Sequence, residues 1–115
     1  MRYQFTTTDG AKFEIVCDSW STRNAWGHSC KVYAGDAYAP SGRAKVRYYN
    51  RTWEAYQYQS VMKQAVHEMM GQRRAQLVDV WKIDNGRKRA TKDQKAQIWD
   101  NDATLKTWAE LYNLI

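Results

Sequence analysis

The chain has 115 residues and a mass of 13.5 kDa, which is the size of one domain with one hydrophobic core. Hydrophobic residues make up 43% of it and aromatic residues 14%, which excludes a disordered basic tail. Eighteen Lys and Arg against twelve Asp and Glu give a formal charge of +6 at pH 7, so we expect a partner that carries negative charge.

The cysteine content and the hydropathy pattern indicate a reducing compartment. Cys17 and Cys30 are too few for the disulfide framework of a small secreted domain, so we expect them to be reduced. The first ten residues, MRYQFTTTDG, lack the apolar region of a secretory signal, and no window approaches eighteen apolar residues. The sequence therefore predicts a cytoplasmic protein with no membrane span.

The first half of the chain alternates apolar and polar residues with the period of β-strands. The alternation predicts a hairpin over residues 2–18 that turns at Asp9-Gly10, a dipeptide that favours tight turns between strands. His28 to Ala34 is predicted as a third strand, and Ala44 to Asn50 as a fourth. Asp18 to Gly27 is long for a hairpin connection, so we predict a functional loop there.

The second half follows the period of an amphipathic helix. Apolar residues fall on one face of a helix that begins near Ser60 and runs at least to Met70. The same face can resume at Leu77, Val80 and Trp81 if the helix continues to a stop at Asn85-Gly86. The alternative is a strand over Leu77 to Ile83 that leads into a hairpin turn.

Two capping residues mark two further helices, and the whole pattern predicts the fold class. Thr91 is placed to cap a short helix that holds Trp99, and Asp102 to cap a final helix. We predict an α+β fold in which an N-terminal antiparallel sheet of about four strands packs against C-terminal helices. It forms a single domain over 1–115, mainly β over 1–50 and mainly α over 57–115.

The sequence carries no catalytic motif. It has no glycine-rich phosphate loop, no G-x-S-x-G and no H-E-x-x-H. Cys17, Cys30, His28 and His67 are the candidates for soft metal ligands, but they lack the spacing of structural zinc sites, so we interpret the cysteines as core residues. We predict a protein that is not an enzyme and that holds neither a metal nor a cofactor; the alternative is a metal-dependent enzyme.

Positive charge is concentrated in two segments, of which the first is a predicted strand. Its cations alternate along the strand, which aims them at one face, and aromatic residues beside them could stack on a nucleic-acid base. The predicted binding residues are Arg43, Lys45, Arg47, Tyr49, Arg51 and Trp53. The alternative is an edge strand that is protected from aggregation by its charges.

The second basic segment straddles the predicted loop after the long helix. Its cations are Lys82, Arg87, Lys88, Arg89, Lys92 and Lys95, with only Asp84 and Asp93 among them. Such side chains can bind the backbone of a nucleic acid or an acidic protein surface. The alternative, neutralisation of a helix dipole, needs fewer cations.

The tryptophans divide by their surroundings. Trp81, Trp99 and Trp108 lie on apolar helical faces and are predicted to be core residues. Trp20, Trp26 and Trp53 lie among polar residues and are predicted to contact a partner. That partner could equally be a second copy of the chain in a homodimer.

Two segments resemble known families. Strands that carry Arg and Trp, followed by one amphipathic helix, resemble integrase arm-binding and AP2-type DNA-binding domains over residues 28–70. The stretch YYNRTWEAYQYQSVMKQAV, Tyr48 to Val66, resembles a segment of small accessory proteins of phages and mobile elements of Gram-positive bacteria, a group that includes anti-CRISPR proteins. This second resemblance implies a non-enzymatic inhibitor, in the cytoplasm of a bacterial host, that binds a nuclease or its nucleic acid.

These observations lead to two functional hypotheses. The first is an anti-CRISPR-like inhibitor that engages a CRISPR nuclease complex, or its guide RNA or DNA, through basic surfaces. The second is a free-standing DNA- or RNA-binding accessory protein, such as a transcription or recombination factor. A charge of +6 excludes inhibition by imitation of a phosphate backbone.

Overall fold

A computed structural model of the chain describes residues 1–24, 26–34, 43–45, 49–50 and 58–115. An N-terminal antiparallel sheet is followed by three helices, which confirms the predicted α+β class. The strands are β1 (Arg2–Thr6), β2 (Lys12–Ser21), β3 (Trp26–Ala34), β4 (Arg43–Lys45) and β5 (Tyr49–Asn50), and the helices are α1 (Tyr58–Asp84), α2 (Lys92–Asp100) and α3 (Ala103–Leu114).

The first hairpin forms where the Asp-Gly pattern predicts it. Gly10 has a φ of +84°, a conformation that is easy only for glycine, and the Thr7 N–H closes the turn by donating to the Ala11 carbonyl at 2.9 Å. Along β2, Phe13, Ile15 and Cys17 are buried at alternate positions. The period-two pattern of the sequence therefore identifies the core face of this strand.

Residues 18–27 are mostly strand, so the predicted functional loop is wrong. β2 continues to Ser21 and β3 begins at Trp26, with Trp20 opposite Gly27 and Ser21 opposite Trp26. The connection between the two strands is residues 22–25. Residues 18–21 and 26–27 form strands although most of them are polar, because strand formation depends on the residues opposite them in the sheet. A local sequence pattern does not reveal those cross-strand partners.

Where a fourth strand is predicted, Ala44 to Asn50, the structure describes two short strands that both pair with β3, and residues 46–48 lie outside the described residues. Lys45 of β4 lies opposite Lys31, and Tyr49 of β5 lies opposite His28. Three residues separate Lys45 from Tyr49 but only two separate Lys31 from His28, so the register of β5 is shifted by one relative to β4. A single alternating strand cannot satisfy both registers. Over the described ranges the sheet therefore has three longer strands and two short ones, whereas the sequence predicts about four.

The helix α1 is continuous from Tyr58 to Asp84, so the alternative strand over Leu77 to Ile83 is wrong. Its 27 residues make a rod about 40 Å long. Val80 lies about five turns beyond Met62, on the same helical face, yet it is 57% exposed whereas Met62 is buried. The resumed apolar face is therefore confirmed at Leu77, which packs against the core, and is wrong at Val80, because the core ends before the helix does.

Both predicted helix caps are confirmed. The Thr91 hydroxyl accepts the N–H of Gln94 at 3.2 Å, and the Gln94 side chain accepts the N–H of Thr91 at 2.8 Å, which forms a complete capping box at the start of α2. Asp102 caps α3 by accepting the Leu105 N–H at 2.9 Å. These helix starts were predictable because a cap needs only residues that are close in sequence.

One hydrophobic core joins the two halves of the chain. Its least exposed members come from β2, β3, α1 and α3, and include Ile15, Val32, Val61, Ala65, Val66 and Leu111. Trp99 and Trp108 pack against this core as predicted, whereas Trp81 is half-buried outside it. Removal of these side chains from water is the main force that holds the helices on the sheet.

Polar contacts fix the two short helices against the second half of α1. The guanidinium of Arg73 donates from Nε to Oδ2 of Asp102 at 3.1 Å and from Nη2 to Oδ1 at 2.9 Å. The indole Nε1 of Trp99 donates to the Arg74 carbonyl at 3.1 Å. A bidentate ion pair and an indole bond have defined directions, so they set the angle between the helices as well as their separation.

Two glycines provide a matched test of the backbone. A Cβ added at Gly71 or at Gly86 would meet no atom within 4 Å, so the effect of each substitution is conformational. We expect Gly71→Ala, inside α1, to stabilise the fold by up to about 1 kcal/mol. We expect Gly86→Ala, at a φ of +68°, to destabilise it by about 1 kcal/mol. Urea unfolding followed by circular dichroism measures both, and a loss of stability in Gly71→Ala would contradict a continuous α1.

The ion pair between α1 and α3 predicts a pH dependence. Asp102→Asn keeps a capping oxygen but loses the charge that Arg73 binds, so we expect it to lower the free energy of unfolding by roughly 1–2 kcal/mol at neutral pH. Hydrogen bonds from Arg73 lower the pKa of Asp102. The carboxylate therefore stabilises the fold above the pKa of the unfolded chain, and this contribution is lost as the pH falls through the lower folded pKa.

The difference in stability between the wild type and Asp102→Asn should accordingly shrink below a pH of about 4. Thermal unfolding of the two proteins across the acidic range measures this difference. A difference that stays constant with pH would show that the charge of Asp102 does not stabilise the fold.

Candidate anion-binding surface

Six cations surround the turn between α1 and α2, and we term this group the basic corner. Its members are Lys82, Arg87, Lys88, Arg89, Lys92 and Lys95. Lys82 and Lys95 are half-buried and the other four are exposed. None of the six forms a salt bridge with a residue that the structure describes. Even with Asp84 and Asp93 counted, the segment offers a net charge of +4 to an outside anion.

Hydrogen bonds to the last turn of α1 hold the backbone of the basic corner. The N–H and the side-chain Nδ2 of Asn85 both donate to the Trp81 carbonyl, at 3.0 and 2.8 Å, and the Arg87 N–H donates to the Lys82 carbonyl at 2.6 Å. Gly86 and Arg87 have φ of +68° and +61°, which confirms the predicted helix stop at Asn85-Gly86. The cations that follow are therefore presented from a defined turn.

The far side of the turn is also anchored. Ala90 is buried, although its neighbours Arg89 and Thr91 are exposed. The capping box at Thr91 then begins α2, whose N-terminal end carries a partial positive charge that Asp93 partly offsets. Three exposed cations are thus held between the end of one helix and the start of the next.

The basic corner is suited to binding by charge and hydrogen bonds. Each guanidinium presents a planar fork of donors that fits a phosphate or a carboxylate, and each ammonium acts as a compact point charge. Contacts of this kind with phosphates give affinity that depends strongly on salt, and they carry little sequence preference. The arrangement therefore fits a polyanion better than a particular base sequence.

Aliphatic surface borders the basic corner. Val80 is 57% exposed and Ile83 is 72% exposed. They lie about five turns beyond Met62 and Ala65, so they extend the face of α1 that packs into the core. Single exposed aliphatic residues are common. Two of them one turn apart, beside six cations, can add apolar contacts to ionic ones.

The exposure of Val80 and Ile83 could not be predicted from the sequence pattern. Periodicity identifies the apolar face of a helix but not where its packing partner ends. The length of α1 was the one signal of their exposure. The helix extends about 18 Å from Met70 to Lys82, the first cation of the basic corner, and so it can outrun the sheet that it packs on.

The structure describes the backbone of three of the six residues predicted for the basic strand, and these three lie in the sheet. Arg43 and Lys45 lie on β4 and Tyr49 lies on β5, while Arg47, Arg51 and Trp53 lie outside the described residues. The sheet packs against the first half of α1, whereas the basic corner follows its second half. Because the register shifts by one residue between β4 and β5, Tyr49 does not occupy the same alternating set of positions in the sheet as Arg43 and Lys45. The role of this group in binding stays a prediction.

Trp20 and Trp26 lie on strands, where both are half-buried. Trp26 packs against the core, edge-on to His28 with 6.0 Å between the ring centroids. His28 is itself buried, and its ring lies 4.7 Å from that of Tyr58. Trp26 therefore contributes to the packing of the sheet, and its predicted contact with a partner stays a prediction.

A metal site or a membrane span in the described part of the chain would need a group of ligands or a long apolar helix. Within it, no three His, Cys, Asp or Glu residues are grouped so that they could hold a metal ion. None of the helices in these same ranges combines the length and the apolar character needed to cross a bilayer.

Comparison of the chain with protein-family models, with curated proteins and with solved structures gave no match in any of the three. The resemblance of Tyr48 to Val66 to phage accessory proteins therefore stays an expectation, and the functional argument depends on the basic corner.

Proposed function

We propose that this chain is a non-enzymatic binding protein whose basic corner engages a CRISPR nuclease complex and inhibits it. The observation that carries the proposal is a set of six cations on an anchored turn, none of them paired with a described carboxylate. Cations that no described residue neutralises can bind an anion from outside.

The size of the basic corner supports a macromolecular partner. A net charge of +4 within fourteen residues extends from the last turn of α1 through the turn into α2. Successive phosphates of a nucleic acid can each meet one cation, and the affinity grows with the number neutralised. A single small anion would use only a few of these groups.

The aliphatic border supports a partner that also contains protein. Val80 and Ile83 have no role in phosphate binding, but they can pack against apolar side chains at the centre of a protein interface. A nuclease loaded with its guide RNA offers phosphates and protein surface side by side. The positive sign of the basic corner means that inhibition would act by capture of an anionic element.

Cleavage assays with a panel of reconstituted CRISPR nucleases test the proposal. We expect the wild type to inhibit at least one nuclease. The variant Lys88→Ala/Arg89→Ala should need about tenfold more protein for the same inhibition, since it loses two ionic contacts worth roughly 0.7 kcal/mol each. Unchanged cleavage across the panel would overturn the proposal.

The matched control is Arg23→Ala/Lys106→Ala, which removes the same charge from two exposed positions outside the basic corner. It should inhibit as the wild type does, within about twofold. If both variants weaken inhibition equally, the total charge of the protein and not the basic corner would be responsible for inhibition.

The second candidate is a free-standing DNA- or RNA-binding accessory protein. The six cations, which pair with no carboxylate in the described ranges, would support it without the aliphatic border. Fluorescence anisotropy with labelled duplex DNA and RNA at increasing salt measures it. If both side chains bind phosphates, we expect the slope of log Kd against log salt to be smaller by about 2 in Lys88→Ala/Arg89→Ala than in the wild type. Tight binding without inhibition of any nuclease would favour this candidate over the first.

A further inference from the structure

Two free thiols face each other inside the sheet, apart from the basic corner. The antiparallel register of β2 and β3 places Cys17 directly opposite Cys30, and their sulfurs lie 3.2 Å apart. The two side chains are 0% and 1% exposed and belong to the hydrophobic core. The sequence predicted two buried cysteines, but only the register shows that they form a pair.

We propose that Cys17 and Cys30 are a reversible dithiol–disulfide site, which forms a covalent bond between β2 and β3 by exchange with a low-molecular-weight disulfide such as glutathione disulfide. The site is independent of the proposed function, because it uses no residue of the basic corner.

The backbone geometry suits this bond. Directly opposed residues of an antiparallel pair have Cα atoms about 4.5–5.5 Å apart. Disulfides span Cα separations of about 4.4–6.8 Å, so the strands need not move apart or together. The sulfurs need to approach by only about 1 Å to reach bonding distance.

The two thiols are chemically unequal. A hydrogen bond from Cys30 lowers the pKa of the Cys17 thiol, while the same bond and burial raise the pKa of Cys30. The thiolate is the form that attacks a disulfide, and either cysteine can supply it once the strands open, so the chemistry is the same whether Cys17 or Cys30 attacks first.

The exchange proceeds in two balanced steps. The Cys17 thiolate attacks one sulfur of glutathione disulfide, the S–S bond of the oxidant breaks, and one glutathione thiolate leaves. Cys30 then gives up its proton and attacks the Cys17 sulfur, which breaks the mixed disulfide and releases the second glutathione. Two protein thiols are oxidised, one external disulfide is reduced, and the two protons end on the two glutathione thiols.

Burial sets the rate of this exchange. Glutathione disulfide is too large to reach sulfurs that have almost no exposed surface, so the first step requires a transient opening of the β2–β3 pair. The equilibrium, in contrast, depends on how well the folded strands hold the two sulfurs together, which is an effective concentration that the unfolded chain lacks.

The test measures that equilibrium in the folded and unfolded protein. Reduced protein is brought to equilibrium in buffers of varied glutathione ratio, with and without concentrated urea, then alkylated after denaturation and weighed by mass spectrometry. We expect a monomer that carries no alkyl group and has lost two hydrogen atoms, with an equilibrium constant about 100-fold higher in native buffer than in urea.

A melting temperature about 10 °C higher for the oxidised protein should accompany this product, and dithiothreitol should reverse it. The variant Cys30→Ser should stop at the mixed disulfide of Cys17 with glutathione. The wild-type measurement stands alone if that variant does not fold. Two outcomes would overturn the proposal: both thiols are still alkylated at the most oxidising glutathione ratio, or the equilibrium constant for disulfide formation is the same in native buffer and in urea.

Discussion

Packing of the first half of α1 against the sheet is the contact on which the rest of the structure depends. Val61, Ala65 and Val66 are completely buried, and the sheet supplies Ile15 and Val32 to the same core. Full burial of each such aliphatic side chain stabilises a fold by about 1.5–3 kcal/mol. Because α1 is 27 residues long and this packing uses its first half, the second half extends beyond the sheet, and the basic corner lies at its end.

Features that depend on neighbours in sequence were predictable. The turn at Gly10 needs an Asp-Gly step, the cap at Thr91 needs a Gln three residues later, and the stop at Gly86 needs a residue that tolerates positive φ. The basic corner was found for the same reason, since its cations are contiguous in the chain. The sequence does not show whether these cations are paired. That depends on how the helices pack, and in the described part of the chain they meet no carboxylate.

Features that depend on distant partners were not predictable. The extension of β2 to Ser21 and the register shift between β4 and β5 are set by pairing with β3, and both contradicted the local pattern. The pairing of Cys17 with Cys30 belongs to the same class. Period-two alternation placed both residues on inward faces, but any even shift of register would have kept them inward without bringing the sulfurs together.

The two candidate sites are supported by different contacts. The basic corner is held by the turn at Gly86 and by buried Ala90. It is also held by the bond that Trp99 donates to the second half of α1 and the bonds that Asp102 accepts from it. Cys17 and Cys30 lie in the sheet beneath the first half. Sites that share no partner act nearly additively. Oxidation would therefore strengthen the sheet without changing the geometry of the cations. Because the fold already fixes the backbone of the basic corner, a partner can bind these charges with little further loss of backbone entropy.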